Sequence, residues 1–472
     1  MPTYIAPGVY VQEVSVVPPT VEDAETALPA FIGYTQKAGK DLELLLKPTR
    51  VSSVAEYEAH FGPSAPVPVA LTVADTPGGG FKVVDYAQGT AYLLHASVQM
   101  FFANGGRHCL IIPVGCHQAS PVFTLEGPGG PDGLSPEARH GLLDGLKVLD
   151  PEDGASLVLI PEAVHLPPAD HAHLVQATLA RCAELDDRFA VLDVQGGERS
   201  SGFDLTQARS QFGSLGTQQL RYGAAYYPFI QTTLPLPRLK DGSPILLTYQ
   251  DTTAPLGSQP RHTPGLVRFV MDALKQRLLV LPPSGAVAGV YAAVDSQRGV
   301  WKAPANEALA QVVKPVVAVD DQFQGQLNVD TVEGKSINAL RSFVGKGTRI
   351  WGARTLAGND NEWRYVPVMR LALQLKTSLK RATAWTVFES NDANTWAKVR
   401  TQVEQYLLEK WRQGALLGSR PQEGYYVRCG LGETMTAQDL TAGRLVIELG
   451  FAPIRPAEFL LLRIGHTTAS AP

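Results

Sequence analysis

Charge is what this sequence has least of. Only 18% of its 472 residues are Asp, Glu, Lys or Arg, while 44% are hydrophobic. Such a weakly charged exterior is what a chain shows when an assembly covers much of its surface. No apolar run approaches ~18 residues, which excludes a transmembrane helix. Met1 is followed by Pro2 and Thr3 rather than a basic segment and an apolar core, so no secretory leader is expected. Cys109, Cys116, Cys182 and Cys429 are scattered and form no C-x2-C pair. They read as reduced, mostly buried thiols of a protein made in the cytoplasm. There is no internal repeat. What is plentiful is turn chemistry, with 44 Gly and 35 Pro, and the length suggests roughly two to four domains.

Motifs for common chemistries are missing as well. Gly334-Lys335-Ser336 and Gly345-Lys346-Gly347 have the tail of a phosphate-binding loop, but Val329 and Leu340 stand where its first glycine belongs. Without that glycine turn the backbone amides cannot cradle a phosphate, so both are expected to be ordinary loops. No G-x-S-x-G elbow occurs. Ser284, in PPSGAVAGV, is the nearest candidate nucleophile, and no conspicuous base lies beside it. His165, His171 and His173 fall within nine residues. Side chains two apart on a helix point about 200° from each other, so solvated histidines are expected rather than a metal site. No catalytic, cofactor-binding or metal-ligating residue is assigned, and no cofactor is expected.

Secondary structure is easier to read. Thr3, Ile5, Val9 and Val11 are β-formers flanked by Tyr4 and Tyr10, with a Pro7-Gly8 break. A proline-rich and glycine-rich loop is expected from Gly62 to Gly80, and a helix from about Tyr86 to Ala103, stopped by Asn104-Gly105-Gly106. Then RHCLIIPV, GASLVLIPEAV and RFAVLDV, each apolar at nearly every position, alternate with the amphipathic PADHAHLVQATLARCAEL. That alternation predicts a parallel sheet with both faces covered, an α/β middle. AAYYPFIQTT and TPGLVRFVMDALKQRL continue it. From Gly347 the pattern becomes α+β: a strand in GTRIWGARTL, helices at about 366–387 and 393–414, then GYYVRCG, RLVIELGFAPI and AEFLLLRIGH as strands.

Charge is also unevenly placed. Residues 335–472 hold 19 Lys and Arg against 11 Asp and Glu, leaving 22 against 34 in residues 1–334. No acid lies between Glu362 and Glu389, whereas Arg364, Arg370, Lys376, Lys380 and Arg381 do. On a helical wheel Val368, Leu371, Ala372, Leu375 and Leu379 form one stripe, with Arg370, Lys376, Lys380 and Arg381 away from it. The next helix repeats this with Trp396, Val399, Val403, Tyr406 and Leu407 inside and Lys398, Arg400, Lys410 and Arg412 outside. A merely solvated face usually mixes signs at i,i+4, so a basic face predicts an acidic protein or phosphate partner. Without interleaved aromatics, base stacking is disfavoured.

Several stretches resemble one family. TYIAPGVYVQEV, ALPAFIGYTQKA, PPSGAVAGVYAAVDSQRGVWKAPANE and WGARTLAGNDNEWRYVPVMRLALQLKTSLKRATAWTVFESNDANTWAKVR, in this order, are similar to contractile tail sheath proteins of phages, R-type bacteriocins and extracellular contractile injection systems. FIGYTQKA followed by KPTRVSSVAEYEAHFG is most similar to the last group. The resemblance implies a multidomain α/β and α+β fold: an α+β inner domain from the terminal segments and an inserted α/β region of subtilisin-like topology. It implies an N-terminal β arm at 1–25, variable outer sheath domains at 26–334, one or two with a split near 105–150, and an inner domain at 335–472 ending in a linking strand. It further implies a non-enzymatic subunit that polymerises as stacked sixfold rings around an inner tube protein. The sheath contracts from a metastable extended state and drives the tube through a target membrane. Baseplate and terminator or cap proteins are the implied further partners, with no nucleic acid and no direct membrane insertion. Such a chain is made in the bacterial cytoplasm and released within an extracellular particle or phage tail. The linking strands fall on Tyr4, Ile5, Val9, Tyr10, Val11 and Glu13 at one end and Phe459, Leu460, Leu461 and Leu462 at the other. The tube-facing basic residues would be Arg370, Lys376, Lys380, Arg381, Lys398 and Arg400. The rival readings are a subtilisin-like hydrolase built on Ser284 and a nucleic-acid-binding structural protein.

Overall fold

Segments apolar at every position can be buried on both faces, and in the computed structural model they form the middle of one large sheet. The structure describes residues 20–40, 42–118, 121–127, 140–199, 203–213, 216–237 and 245–458. Along the chain the sheet takes β1 (Pro29–Thr35), β2 (Thr49–Val51), β3 (Cys109–Cys116), β4 (Leu157–Leu159), β5 (Phe189–Asp193), β6 (Gly223–Tyr227), β7 (Glu307–Ala308), β8 (Ile337–Phe343) and β9 (Gly347–Ile350). Their spatial order is β7-β9-β8-β6-β5-β4-β1-β3-β2. The six strands from β8 to β3 are parallel, as the continuous apolar runs predict. Antiparallel β2 closes one edge, and β9 with β7 closes the other. Every residue of β1, β5 and β6 is buried.

Three helices that pack within this unit are α1 (Leu94–Ala103), α2 (Pro168–Leu185) and α3 (Ser284–Arg298). Two glycines one turn apart let α3 approach α1 closely. A Cβ at Gly285 would stand 2.4 Å from the Ser97 carbonyl oxygen, and one at Gly289 2.4 Å from that of Phe101. No residue at the start of α1 caps it through its side chain. Glu162 does so from 68 positions away, accepting from the amides of Leu93 (3.0 Å) and Leu94 (3.3 Å) with one oxygen and from Tyr34 (2.7 Å) with the other. Burial pushes this carboxyl up to about 7 against the pull of the three amides.

Two expectations need correction. Val69–Asp75 lies inside the segment expected to be loop, and its alternating burial marks it as a strand. It pairs with Phe81–Gln88 and Ile245–Tyr249 in a four-stranded sheet that Thr252–Pro255 completes. Tyr86 therefore belongs to a strand, and the helix expected from that point begins only at Leu94. Thr76 to Gly80 is the tight turn that the glycines serve: the Gly80 carbonyl accepts from the Thr76 amide at 2.7 Å.

The described residues divide into two compact units, 25–374 with 455–458 and 20–24 with 375–454. The sequence-based division at 335 differs from this one because β8 and β9 add to the large sheet, taking the chain up to residue 374 with it. The small unit is α+β and is drawn from both terminal regions of the chain.

Candidate assembly surface

None of the chemical candidates makes a site. The Ser284 hydroxyl is fully buried and donates to Asp193 Oδ2 at 2.5 Å, while its amide donates to Oδ1 at 2.9 Å. Asp193, at the end of β5, is pushed up to about 7 by burial. The carboxylate fixes the start of α3 and leaves no exposed nucleophile. Lys335 is buried rather than poised over a phosphate: its ammonium donates to the Gly213 carbonyl (2.6 Å) and to Glu333 (2.5 Å). Asp330 gathers the amides of Val332, Glu333 and Lys335 into the loop. Among the described residues no group of His, Cys, Asp and Glu could hold a metal ion, and the four cysteines are unpaired thiols.

The histidines are less solvated than expected. His173 is exposed, but His171 on the opposite face of α2 is fully buried, both ring nitrogens without a partner. It lines, with Asp193, a cavity of about 10 Å³. His165 Nε2 donates to the Ala91 carbonyl at 3.1 Å. Burial pulls both imidazoles down to about 4.

In the C-terminal third, helix α4 (Val366–Ala382) and helix α5 (Ala393–Arg412) form where the apolar stripes predict them. Val368, Leu371, Ala372, Leu375 and Leu379 are all buried. So are Val399, Val403, Tyr406 and Leu407. Asp392 caps α5 by accepting from the Thr395 amide at 3.0 Å.

The basic residues divide into two groups. Lys376, Lys380, Arg381 and Lys398 are exposed and Arg400 is half-buried. Among the described residues Lys380, Arg381, Lys398 and Arg400 have no ion-pair partner. Arg370 does not belong with them: only 3% of it is exposed. The wheel assumes one solvated face, yet every residue from Val366 to Leu373 is buried, and Arg370 is neutralised there by Asp295. Lys410 is buried too, with its ammonium 2.6 Å from Asp23 Oδ2.

The small unit also holds a two-stranded antiparallel sheet, β10 (Tyr425–Arg428) and β11 (Glu448–Phe451). The Leu417 amide donates to the Ala452 carbonyl at 2.8 Å just past β11. Tyr426 is half-exposed, and nearby Leu417 and Leu431 are too. Two strands alone are marginal in water, and among the described residues no third strand joins them. The expected arm residues, Tyr4 to Val14, and tail residues, Phe459 to Leu462, lie outside the described residues.

A family model for the phage tail sheath C-terminal domain matches residues 358–467. The tail sheath protein of Enterobacteria phage T4 is 25% identical over 160 residues, which are 34% of this chain and 24% of that protein, so the match spans about a quarter of that relative's length. The sheath complex of the extracellular contractile injection system PVC, in its contracted state, superposes with a TM-score of 0.62 at 26% identity and covers 98% of both chains. The contracted helical sheath of the anti-feeding prophage gives 0.62 at 27% identity, covering 98% of this chain and 99% of that one.

Proposed function

We propose, for a chain that belongs with the contractile tail sheath proteins, that it is a sheath subunit of a contractile injection particle. Its homologues are structural tail sheath proteins, not enzymes. The observation that carries the proposal is the end-to-end correspondence with the subunits of contracted injection-system sheaths. Local motifs alone do not carry it.

In this reading the subunit polymerises as stacked sixfold rings around an inner tube, between a baseplate and a terminator. The particle is assembled in the bacterial cytoplasm and released. Residues 26–334, with the subtilisin-like arrangement that the resemblance implies, face outward, and residues 335–472 form the inner domain. Tyr4, Ile5, Val9, Tyr10, Val11 and Glu13, with Phe459 to Leu462, are the linking strands. They add to β10 and β11 of neighbouring copies, where main-chain hydrogen bonds give a sequence-tolerant joint. Lys376, Lys380, Arg381, Lys398 and Arg400 face the tube. Exposed charge pairs are individually weak and screened by salt, which suits an interface that holds in the extended state and parts on contraction. Contraction draws on a metastable lattice, so many small gains in buried surface act together and the chain needs no nucleotide site.

Negative-stain electron microscopy of the purified chain tests this directly. Hollow ribbed tubes are the expected result. A protein that stays monomeric at every concentration while a fluorophosphonate labels Ser284 overturns it.

A further inference from the structure

We propose that each end of the chain is held at its root by a carboxylate clamp, Asp23 for the N-terminal segment and Glu458 for the C-terminal one. Tension between copies of this chain enters the fold through these two clamps. The inference rests on the reading of the chain ends as inter-subunit linkers.

The two clamps are built alike on unrelated frameworks. Asp23 Oδ1 accepts from the Tyr406 hydroxyl at 2.6 Å and Oδ2 from the Lys410 ammonium at 2.6 Å, both on helix α5. One residue on, the Ala24 amide donates to Ser378 Oγ at 2.8 Å. Glu458 takes Arg354 in a two-pronged pair, Nε to Oε1 at 2.7 Å and Nη2 to Oε2 at 2.5 Å, and the Tyr365 hydroxyl joins Oε2 at 3.3 Å. In both cases a basic residue and a tyrosine of the framework grip one acid of the terminal segment.

The burial is lopsided in a telling way. The framework cations are sealed, with 2% of the Lys410 side chain and 5% of that of Arg354 exposed, whereas 47% of Asp23 and 19% of Glu458 remain open. Pulling the segment away therefore takes a carboxylate from a sealed cation, which is far costlier than parting an exposed pair. Two charge-assisted bonds loaded side by side also resist better than one.

Each clamp is tied further inward. Arg354 Nη1 donates to the Asn328 carbonyl at 3.1 Å, and the main chain of Arg354 exchanges two 2.8 Å bonds with the side chain of Asn338 on β8. Asn338 also donates to the Ala225 carbonyl of β6 at 3.2 Å. A pull on the C-terminal end is thus passed to the large parallel sheet. A pull on the N-terminal end is passed to α5 of the small unit. The two ends are rooted on different units, so a string of linked copies must carry its load through both.

The test compares sheaths assembled from the full chain, parent and variant, after a fixed period of shear, with tube length read by electron microscopy. Asp23→Asn and Glu458→Gln are expected to assemble but to shorten the mean sheared length about threefold or more each. The exposed control Glu433→Gln is expected to match the parent, and the melting temperature of each dilute monomer separates a loss of fold from a loss of linkage. Variant sheaths as long as parental ones overturn the clamps and leave the sheath reading intact. A parent that forms no tubes overturns the sheath reading and this inference with it. Should either variant lower the monomer's melting temperature, Tyr406→Phe and Tyr365→Phe carry the same test with both charges kept. Intermediate lengths are then expected, and parental lengths overturn the proposal.

Discussion

Arg370 and Asp295, 75 positions apart, lock together in a two-pronged pair, Nη1 to Oδ1 at 3.0 Å and Nη2 to Oδ2 at 2.5 Å, with 2% and 6% of the side chains exposed. The guanidinium also donates to the Thr26 carbonyl at 2.9 Å and lies 4.4 Å from the centre of the Tyr291 ring. Thr26 Oγ1 completes the cluster by donating to Asp295 Oδ2 at 2.6 Å. An arginine that sequence patterning puts on a basic outer face is a keystone of the large unit.

Removing the acid from this cluster leaves a buried, uncompensated cation. Asp295→Ala is therefore expected to destabilise the protein by about 3–5 kcal/mol, and Arg370→Met with Asp295→Leu by much less. Urea unfolding of the dilute monomer checks both. Equal losses in the single and double variants would mean that packing, not charge, sets the effect.

His171 gives an acid limb to stability. Burial holds its imidazole near 4, while in the unfolded chain it takes a proton near 6.5. Its contribution is full above pH ~6.5 and is lost as pH falls toward ~4, because only the unfolded chain binds the proton in that window. His117 and His165, also pulled down to about 4 by burial, act in the same direction. Glu162 and Asp193, pushed up to about 7, act in the opposite one: the folded chain keeps protons that the unfolded chain has shed, and that gain fades as pH rises through 7. His171→Leu is expected to flatten the acid limb by up to about 1.4 kcal/mol per pH unit. Urea midpoints between pH 6.5 and 4.5 measure it, and an unchanged limb contradicts the assignment.

The basic face is tested by charge reversal. Lys380→Glu with Lys398→Glu is expected to weaken co-assembly with the tube protein at least tenfold at low salt and to leave sheath polymerisation intact; each lost pair contributes about 0.2–1 kcal/mol. Co-sedimentation across a salt series reads this out. Unchanged co-assembly would move the tube contact to another surface.

Deleting residues 1–14 is expected to leave a folded monomer that forms no sheaths. Circular dichroism checks the fold and negative stain the assembly. Full-length tubes from the truncated chain would show that the arm is not the linker.

What the sequence determined by itself is whatever repeats along the chain. Apolar runs such as FAVLD and GAAYY required strands covered on both faces, and the stripe from Val368 to Leu379 required a buried helix face, because burial follows from local periodicity. The quoted segments likewise carried the resemblance to sheath proteins. What only the tertiary structure decided is the fate of the charged residues within those elements. Glu162, Asp193, Arg370 and Lys410 each look like ordinary polar positions, and each is buried against a partner 68 to 387 residues away. Periodicity can say which face of a helix is apolar. Whether a cation on the other face meets water or a carboxylate depends on chain brought from far away, and the sequence has no local signal for that.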